Sequence, residues 1–405
     1  MVKRINFLQY VFLAGLLISP LVFWPWAAVT YEVPRVWFVN RWIEVLLILT
    51  ILTYKRDLFK KINSSLNSIT LLIIIFLVVG IISSLTGADL PKSLIGNYYR
   101  GDGLFTYFHL AVFSILVSLF WQDLNKRLFH LCLAWGSIII SILTLIMSVL
   151  VINFNLLAIP HWENRAVGAT FGNPNFLAGY LAVSLPFVFY QIKMSGKRQR
   201  LWWIFALILQ YLAIVASNSY GGLAIGLLFL VGWFLVGKKR GVQIFILLSF
   251  SSIILITLAV FQQNKISGFV PEGRERIFRK ILLGVKKRPI LGFGFANSDY
   301  AFEAREWPIK LQHDVYVDKA HAMLLEVLAT TGVVGLTVYL LLIYKITVIL
   351  IKSYGGADGQ EKLTQKVFLL VFILYLVHSQ TNVISIQEEL FFWMMAGIAI
   401  NEGKE

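Results

Sequence analysis

The chain has 405 residues, 58% of them hydrophobic and only 14% charged, with a mean hydropathy of +0.76. Soluble domains carry roughly 25% charged residues, so this sequence lacks the polar surface to dissolve and reads as an all-α, polytopic membrane protein. The net charge of +15 could suggest nucleic acid, but most Lys and Arg stand in short segments between apolar runs, which is a topology signal, and no nucleic-acid partner is expected.

About twenty apolar residues span a bilayer. Spans are predicted near 7–27, 37–54, 69–86, 104–121, 129–152, 176–192, 201–217, 220–236, 242–262, 332–351, 367–383 and 389–401, about twelve in one integral membrane domain, 1–405. The first contains Pro20, Trp24 and Trp26 and lacks a small-residue cleavage site, so it reads as a retained span and not a signal peptide. With the N-terminus cytoplasmic, inward segments hold clusters such as Lys55, Arg56, Lys60 and Lys61, or Lys238, Lys239 and Arg240. Short outward loops hold only Arg35, Lys92, Arg100, Arg165 and Lys265. The single cysteine, Cys132, allows no disulfide within this sequence. No internal repeat of the kind many transporters carry is visible.

Within the second span, Arg41 and Glu44 can pair along one helix face. Arg100 sits in a turn-rich outward loop, Asn97-Tyr98-Tyr99-Arg100-Gly101-Asp102-Gly103. Arg165 precedes a second, Gly168-Ala169-Thr170-Phe171-Gly172-Asn173-Pro174-Asn175. Each arginine can be an interfacial anchor. Alternatively Arg100, Arg165 and Arg274 converge on one site, where arginine forks suit phosphate. The polar turn Ser217-Asn218-Ser219-Tyr220-Gly221-Gly222 joins two spans on the same side.

The segment 263–321 breaks the charge pattern, because a long outward loop here is rich in cations. It contains an amphipathic helix candidate, Gly273 to Arg288. At 100° per residue Ile277, Phe278, Ile281, Leu282 and Val285 share one arc. Arg276, Arg279, Lys280, Lys286 and Lys287 share the opposite one. Such a helix either rests on lipid headgroups or offers a basic surface to a phosphate-bearing lipid. Arg274 and Arg288 project onto the apolar arc, where a charge must find an anion or a watery cavity. Pro289 stops the helix, and a turn at Gly292 and Gly294 follows.

The loop ends at Val317-Asp318-Lys319-Ala320-His321, before an apolar helical run from Met323. Asp318 can serve as N-cap, which would place His321 in the first turn. The positive helix end would then keep its imidazole neutral and available as a base. A structural role is the competing reading. His109, His130 and His378 lie in or beside spans and suit packing roles; His161 and His313 carry no pattern. No pair of His, Asp or Glu has metal-ligand spacing, and no metal or cofactor is expected.

Several of these segments together resemble the O-antigen ligase and polymerase superfamily. They are Tyr99 to Tyr107, Phe171-Gly172-Asn173-Pro174-Asn175-Phe176-Leu177-Ala178-Gly179, Ser217 to Gly222, Arg288-Pro289-Ile290-Leu291-Gly292-Phe293-Gly294, and His321 with Gly332 and Gly335 after it. The resemblance runs from about 99 to 335. It implies a helical, GT-C-type, metal-independent glycosyltransferase of the bacterial inner membrane. Its donor would be an undecaprenyl-diphosphate-linked glycan and its working side extracytoplasmic. His321 would be the general base, with Arg165 and Arg274 neutralising the diphosphate and Arg100 a third candidate. The acceptor would be another glycan, as in a polymerase, or lipid A core or a protein, as in a ligase. A flippase of lipid-linked sugars is the alternative from another class. Two positions depart from the family pattern. Ala322 stands where Asn, Ser or Gln often follows the histidine, and Phe278 where tryptophan is usual.

Overall fold

The computed structural model describes residues 2–154, 167–263, 274–304 and 317–403. Among these residues the chain is helical, without a strand beyond an isolated bridge. In chain order the helices are α1 (Val2–Ile18), α2 (Glu32–Tyr54), α3 (Leu58–Ser65), α4 (Ser68–Leu85), α5 (Leu90–Ile95), α6 (Leu104–Phe120), α7 (Lys126–Phe154) and α8 (Pro174–Met194). They continue with α9 (Lys197–Ala216), α10 (Tyr220–Leu235), α11 (Gly241–Gln263), α12 (Arg274–Val285), α13 (Ser298–Glu303), α14 (Met323–Gly356), α15 (Gly359–Ser379) and α16 (Ile386–Glu402).

Several starts are written locally. The Asn67 side chain accepts from Ile69 N and Thr70 N ahead of α4. Asn173 accepts from Asn175 N, with Pro174 opening α8, and Ser219 accepts from Gly222 N ahead of α10. Ser385 and Glu388 form a reciprocal capping box on α16.

Among the described residues eight helices are long and apolar enough to cross a membrane: α2, α4, α6, α7, α8, α9, α14 and α15. The other four expected spans fall on α1, α10, α11 and α16, whose described apolar portions are shorter. The protein is thus a multi-pass membrane protein. Helices α8, α15 and α16 are buried along nearly their whole length. Helix α9 turns Leu201, Trp202, Phe205, Ile208 and Leu212 outward, the face that lipid would cover. Arg41 Nη2 meets Glu44 Oε1 at 2.5 Å, as its helical spacing predicts, and His109 Nε2 adds a third member at 2.9 Å.

Helix α14 is two helices joined across Gly332, whose φ of 66° and ψ of −168° break the ladder. A break frees carbonyls on one side and N–H groups on the other, and in lipid these need partners. The Arg288-to-Gly294 segment supplies them. Phe293 N donates to Ala329 O at 2.9 Å and Gly294 N to Thr330 O at 2.8 Å. In return Val333 N donates to Pro289 O at 2.8 Å, and Val334 N to Ile290 O at 3.3 Å. From α4, Ser83 Oγ reaches Leu291 O and Thr330 O at 2.5 and 2.6 Å.

Helix α12 has the predicted amphipathic spacing but a different neighbour. Ile277, Phe278, Ile281 and Val285 are buried in a cluster with Ala301, Phe302, Ala320 and Ala329. The apolar arc therefore faces α13 and α14 and not lipid, and only Leu282 of that arc stays exposed. On the opposite arc Arg279, Lys286 and Lys287 stay exposed, but Arg276 and Lys280 are buried, Lys280 over the Phe302 ring at 4.0 Å. The reason is the close approach of α13, where a Cβ on Gly284 would stand 1.9 Å from Ala301 O.

The α14 break is testable. A Cβ on Gly332 would lie 2.2 Å from Ile290 O, at a positive φ that L-residues avoid. Gly332→Ala is expected to cost at least about 1–3 kcal/mol from backbone strain alone, read as a lowered Tm of the detergent-purified protein. Gly355→Ala, inside α14 where a Cβ meets nothing within 4 Å, should not lower Tm.

Candidate functional site

At one end of the bundle, the loop before α6 folds on itself. Arg100 N and Gly101 N donate to Asn97 O at 2.9 and 2.8 Å, and Asn97 N donates to Asp102 Oδ1 at 3.1 Å. Gly96 and Gly103 pinch the loop, since a Cβ on Gly103 would lie 2.4 Å from Gly96 N. Arg100 lies over the Phe176 ring at 4.9 Å and donates from Nε to Asp318 Oδ2 at 2.7 Å. Lys319 Nζ pairs with Asp102 and with Glu326 Oε1, the latter at 3.0 Å, while Glu326 Oε2 accepts from Ala320 N at 2.8 Å. Residues 318–320 are thus held on three successive positions. Burial opposes the Lys319 and Arg100 charges, but their carboxylate partners outweigh it and hold both pKa values above the ordinary ones.

His321 follows directly. Its φ of 55° turns the chain from this clamped stretch into Ala322 and α14; histidine is among the residues that enter this region more readily. Among the described residues its ring has no hydrogen-bond partner, and it faces a cleft of about 590 Å³, open solvent included. Glu32, Arg100, Asp102, Asn382 and Glu389 share the lining. Burial, then the nearby Arg274 and Arg100, lower the His321 pKa to about 4, with Asp318 opposing them.

Arg274 opens α12. Its Nη1 donates to Thr381 O at 2.6 Å and its Nη2 to Asn382 Oδ1 at 2.7 Å. These acceptors are neutral, and no carboxylate pairs with Arg274 among the described residues. The charge on the apolar arc has found two oxygens in the turn between α15 and α16, not an anion.

Arg100 and Arg274 therefore do come together around His321. Arg165 lies outside the described residues, as do His161 and His313. Asp318 is not the helix cap. Helix α14 starts at Met323 with Ala322 as N-cap, and the Asp318 carboxylate is taken by Arg100. The helix-end argument for a neutral His321 falls with it; burial and the two guanidinium groups supply the cause instead.

Residues 203–340 match the family model described as O-antigen ligase. That stretch is similar to the O-antigen ligase domain. The match supports the O-antigen ligase and polymerase superfamily; no curated protein matches the chain. The matched stretch includes the Ser217 turn, Arg274, the Arg288-to-Gly294 segment and His321. Arg100 and Asn382 join its cleft from outside the matched stretch.

Several residues of the site escaped sequence reasoning. Lys319 was visible only as one more loop cation, and Asp102 and Glu326 not as its partners. Arg35, read as a loop cation, is fully buried. It pairs with Glu32 at 3.3 Å, donates to Thr170 O at 2.6 Å and lies over Phe171 at 4.3 Å. Asn382 and His378 gave no motif, although the polar turn Gln380-Thr381-Asn382 and the Ser385-to-Glu388 capping box were there to be found.

Ala322 leaves the α14 start without a side-chain cap of its own. Gln380 Oε1 accepts from Leu324 N at 3.1 Å and takes that part from another helix end. Gln380→Ala is expected to cost about 1 kcal/mol, and Ala322→Asn to restore it, both read as Tm shifts.

The charge state of His321 has its own check. Diethylpyrocarbonate reacts with neutral imidazole. For His321, followed by peptide mass spectrometry, the rate should stay flat from pH 7 down to about pH 5, because protonation is deferred to about pH 4. A fall centred near 6.5, the ordinary histidine value, would contradict the burial and cation effects.

Proposed function

We propose that this protein transfers a glycan from an undecaprenyl-diphosphate carrier to an acceptor hydroxyl, in surface polysaccharide biosynthesis. On this reading the cleft opens on the extracytoplasmic side of a bacterial cytoplasmic membrane, and all twelve apolar segments are spans. The observation that carries it is His321, whose ring has no hydrogen-bond partner among the described residues and which lines a cleft with Arg100 and feels the nearby charge of Arg274. A base flanked by cations suits a reaction in which a hydroxyl loses a proton while a diphosphate gains charge.

The steps balance without a metal. His321 takes the proton of the acceptor hydroxyl. The oxygen attacks the anomeric carbon, the carbon–oxygen bond to the carrier breaks, and its electron pair leaves with the lipid diphosphate. Arg274 and Arg165 neutralise that charge as it develops, with Arg100 beside them. The acceptor is a second lipid-linked glycan for a polymerase and lipid A core for a ligase; the donor half of the site serves both. Bound diphosphate would also cancel the field that depresses His321, so the base grows stronger when the donor is present.

The test is an assay in nanodiscs with undecaprenyl-diphosphate glycan, with and without lipid A core. A ladder of longer lipid-linked chains marks a polymerase; product only with core marks a ligase. EDTA should leave either activity intact. His321→Ala should lower kcat by about 10²–10⁴-fold, and retained activity would sink the base assignment. Arg274→Ala should raise the donor KM by roughly tenfold or more, the size of a lost charge-assisted hydrogen bond. The acid limb of kcat/KM, which reports the free enzyme, should lie near pH 4 and that of kcat higher.

A further inference from the structure

Behind Arg274 runs a chain of hydrogen bonds that ends on the capping box of α16. Glu388 Oε2 accepts from Ser385 N at 3.2 Å and meets Ser385 Oγ at 3.3 Å. Its Oε1 faces His378 Nδ1 at 2.5 Å. A carboxylate only accepts, so the His378 proton sits on Nδ1. The lone pair is then on Nε2, which faces Asn382 Nδ2 at 3.3 Å. The amide nitrogen being turned there, Asn382 Oδ1 is turned to Arg274 at 2.7 Å. Each direction follows from the one before it.

The fold makes room for this chain. A Cβ on Gly179 would stand 2.2 Å from His378 Cε1 and 2.4 Å from Glu388 Oε1. A Cβ on Gly221 would stand 2.5 Å from Asn382 Nδ2. These two glycines belong to the Phe171-to-Gly179 and Ser217-to-Gly222 segments. His378, Glu388 and Asn382 are all buried, so water does not compete for the bonds.

We propose that Asn382 is a positioning residue that aims the Arg274 fork at the donor diphosphate, and that the polarity of its amide is set from Glu388 through His378. The proposal rests on the reading of Arg274 as a diphosphate ligand. An aspartate in place of Asn382 would grip the guanidinium but cancel its charge. The amide oxygen grips it and leaves the charge for the ligand.

Glu388→Gln separates this from a packing role. Glutamine still serves at the third position of a capping box. Its amide oxygen is then pinned on Ser385 N–H, so its NH₂ points at His378 Nδ1. His378 must shift its proton to Nε2, and Asn382 must flip or face a donor. The flip takes the accepting oxygen away from Arg274, and without it two donors clash at Nε2 and loosen the Asn382 grip on the guanidinium, although no atom near Arg274 has been changed.

The experiment measures binding of undecaprenyl diphosphate to the full-length protein in nanodiscs, for wild type, Arg274→Ala, Asn382→Ala, Glu388→Gln and the Asn382→Ala/Glu388→Gln double variant. Arg274→Ala should weaken binding by about tenfold or more, and Glu388→Gln by roughly three- to tenfold, since a hydrogen bond to a charged group is at stake. The double variant should bind no worse than Asn382→Ala alone, because both act through one bond. Normal binding by Glu388→Gln beside loss in Arg274→Ala overturns the relay and spares the diphosphate site. Additive losses in the double variant overturn it as well. Unchanged binding by Arg274→Ala overturns the diphosphate reading itself. Should Glu388→Gln fail to fold, Asn382→Ala decides alone, with the capping box intact, and normal binding by it overturns the relay.

Discussion

The constraint on which the structure depends is that a broken helix inside a membrane must have its backbone groups answered by protein. Helix α14 breaks at Gly332, and the four groups this frees are met one by one from Pro289, Ile290, Phe293 and Gly294. That pairing explains the composition of the partner segment. Pro289 lacks an N–H, and its carbonyl is the one Val333 needs. A Cβ on Gly292 would lie 2.7 Å from Ala329 O, and its φ is 69°. The short first half of α14, with His321 just ahead of it, is thereby held at a fixed place against α4 and α12.

With the helix half fixed, ion pairs hold Asp318 and Lys319 in the stretch before it. Arg100–Asp318 and Asp102–Lys319–Glu326 are buried or nearly so, and buried pairs gain little net stability after desolvation. Their effect here is geometric. Both tie the loop before α6 to the stretch before α14, two segments more than two hundred residues apart in sequence. The strained backbone of His321 persists because its neighbours on both sides are held.

Much of this was legible in the sequence. The twelve apolar segments fall wholly or mainly on helices, the Arg41–Glu44 pair forms, and the Gly292–Gly294 turn occurs where the residues place it, whereas α12 ends at Val285, before Pro289 is reached. His321 and Arg274, singled out from their motifs, lie close enough for the arginine's charge to act on the imidazole. What failed shares a cause. Asp318 has the right spacing for a cap, but a carboxylate chooses the stronger partner, and Arg100 is visible only once the fold brings it near. The apolar arc of α12 could not reveal whether lipid or protein would cover it, since both are apolar. The chain from Glu388 through His378 to Asn382 joins three residues of a turn-and-helix unit to α12, and no local pattern encodes that meeting.

The two described arginines near His321 show why residue type alone could not rank them. Arg100 is met by the Asp318 carboxylate, so most of its field is spent within the protein. Arg274 is held as firmly, but by a peptide carbonyl and an amide. Hydrogen bonds orient a guanidinium whatever the charge of the acceptor; only a carboxylate also cancels it. A cation that is oriented without being neutralised keeps its field for whatever enters the cleft, and that field adds to burial, the larger cause, in lowering the basicity of His321. The partner of an arginine, more than its position, is what separates the one that builds the site from the one left to act in it.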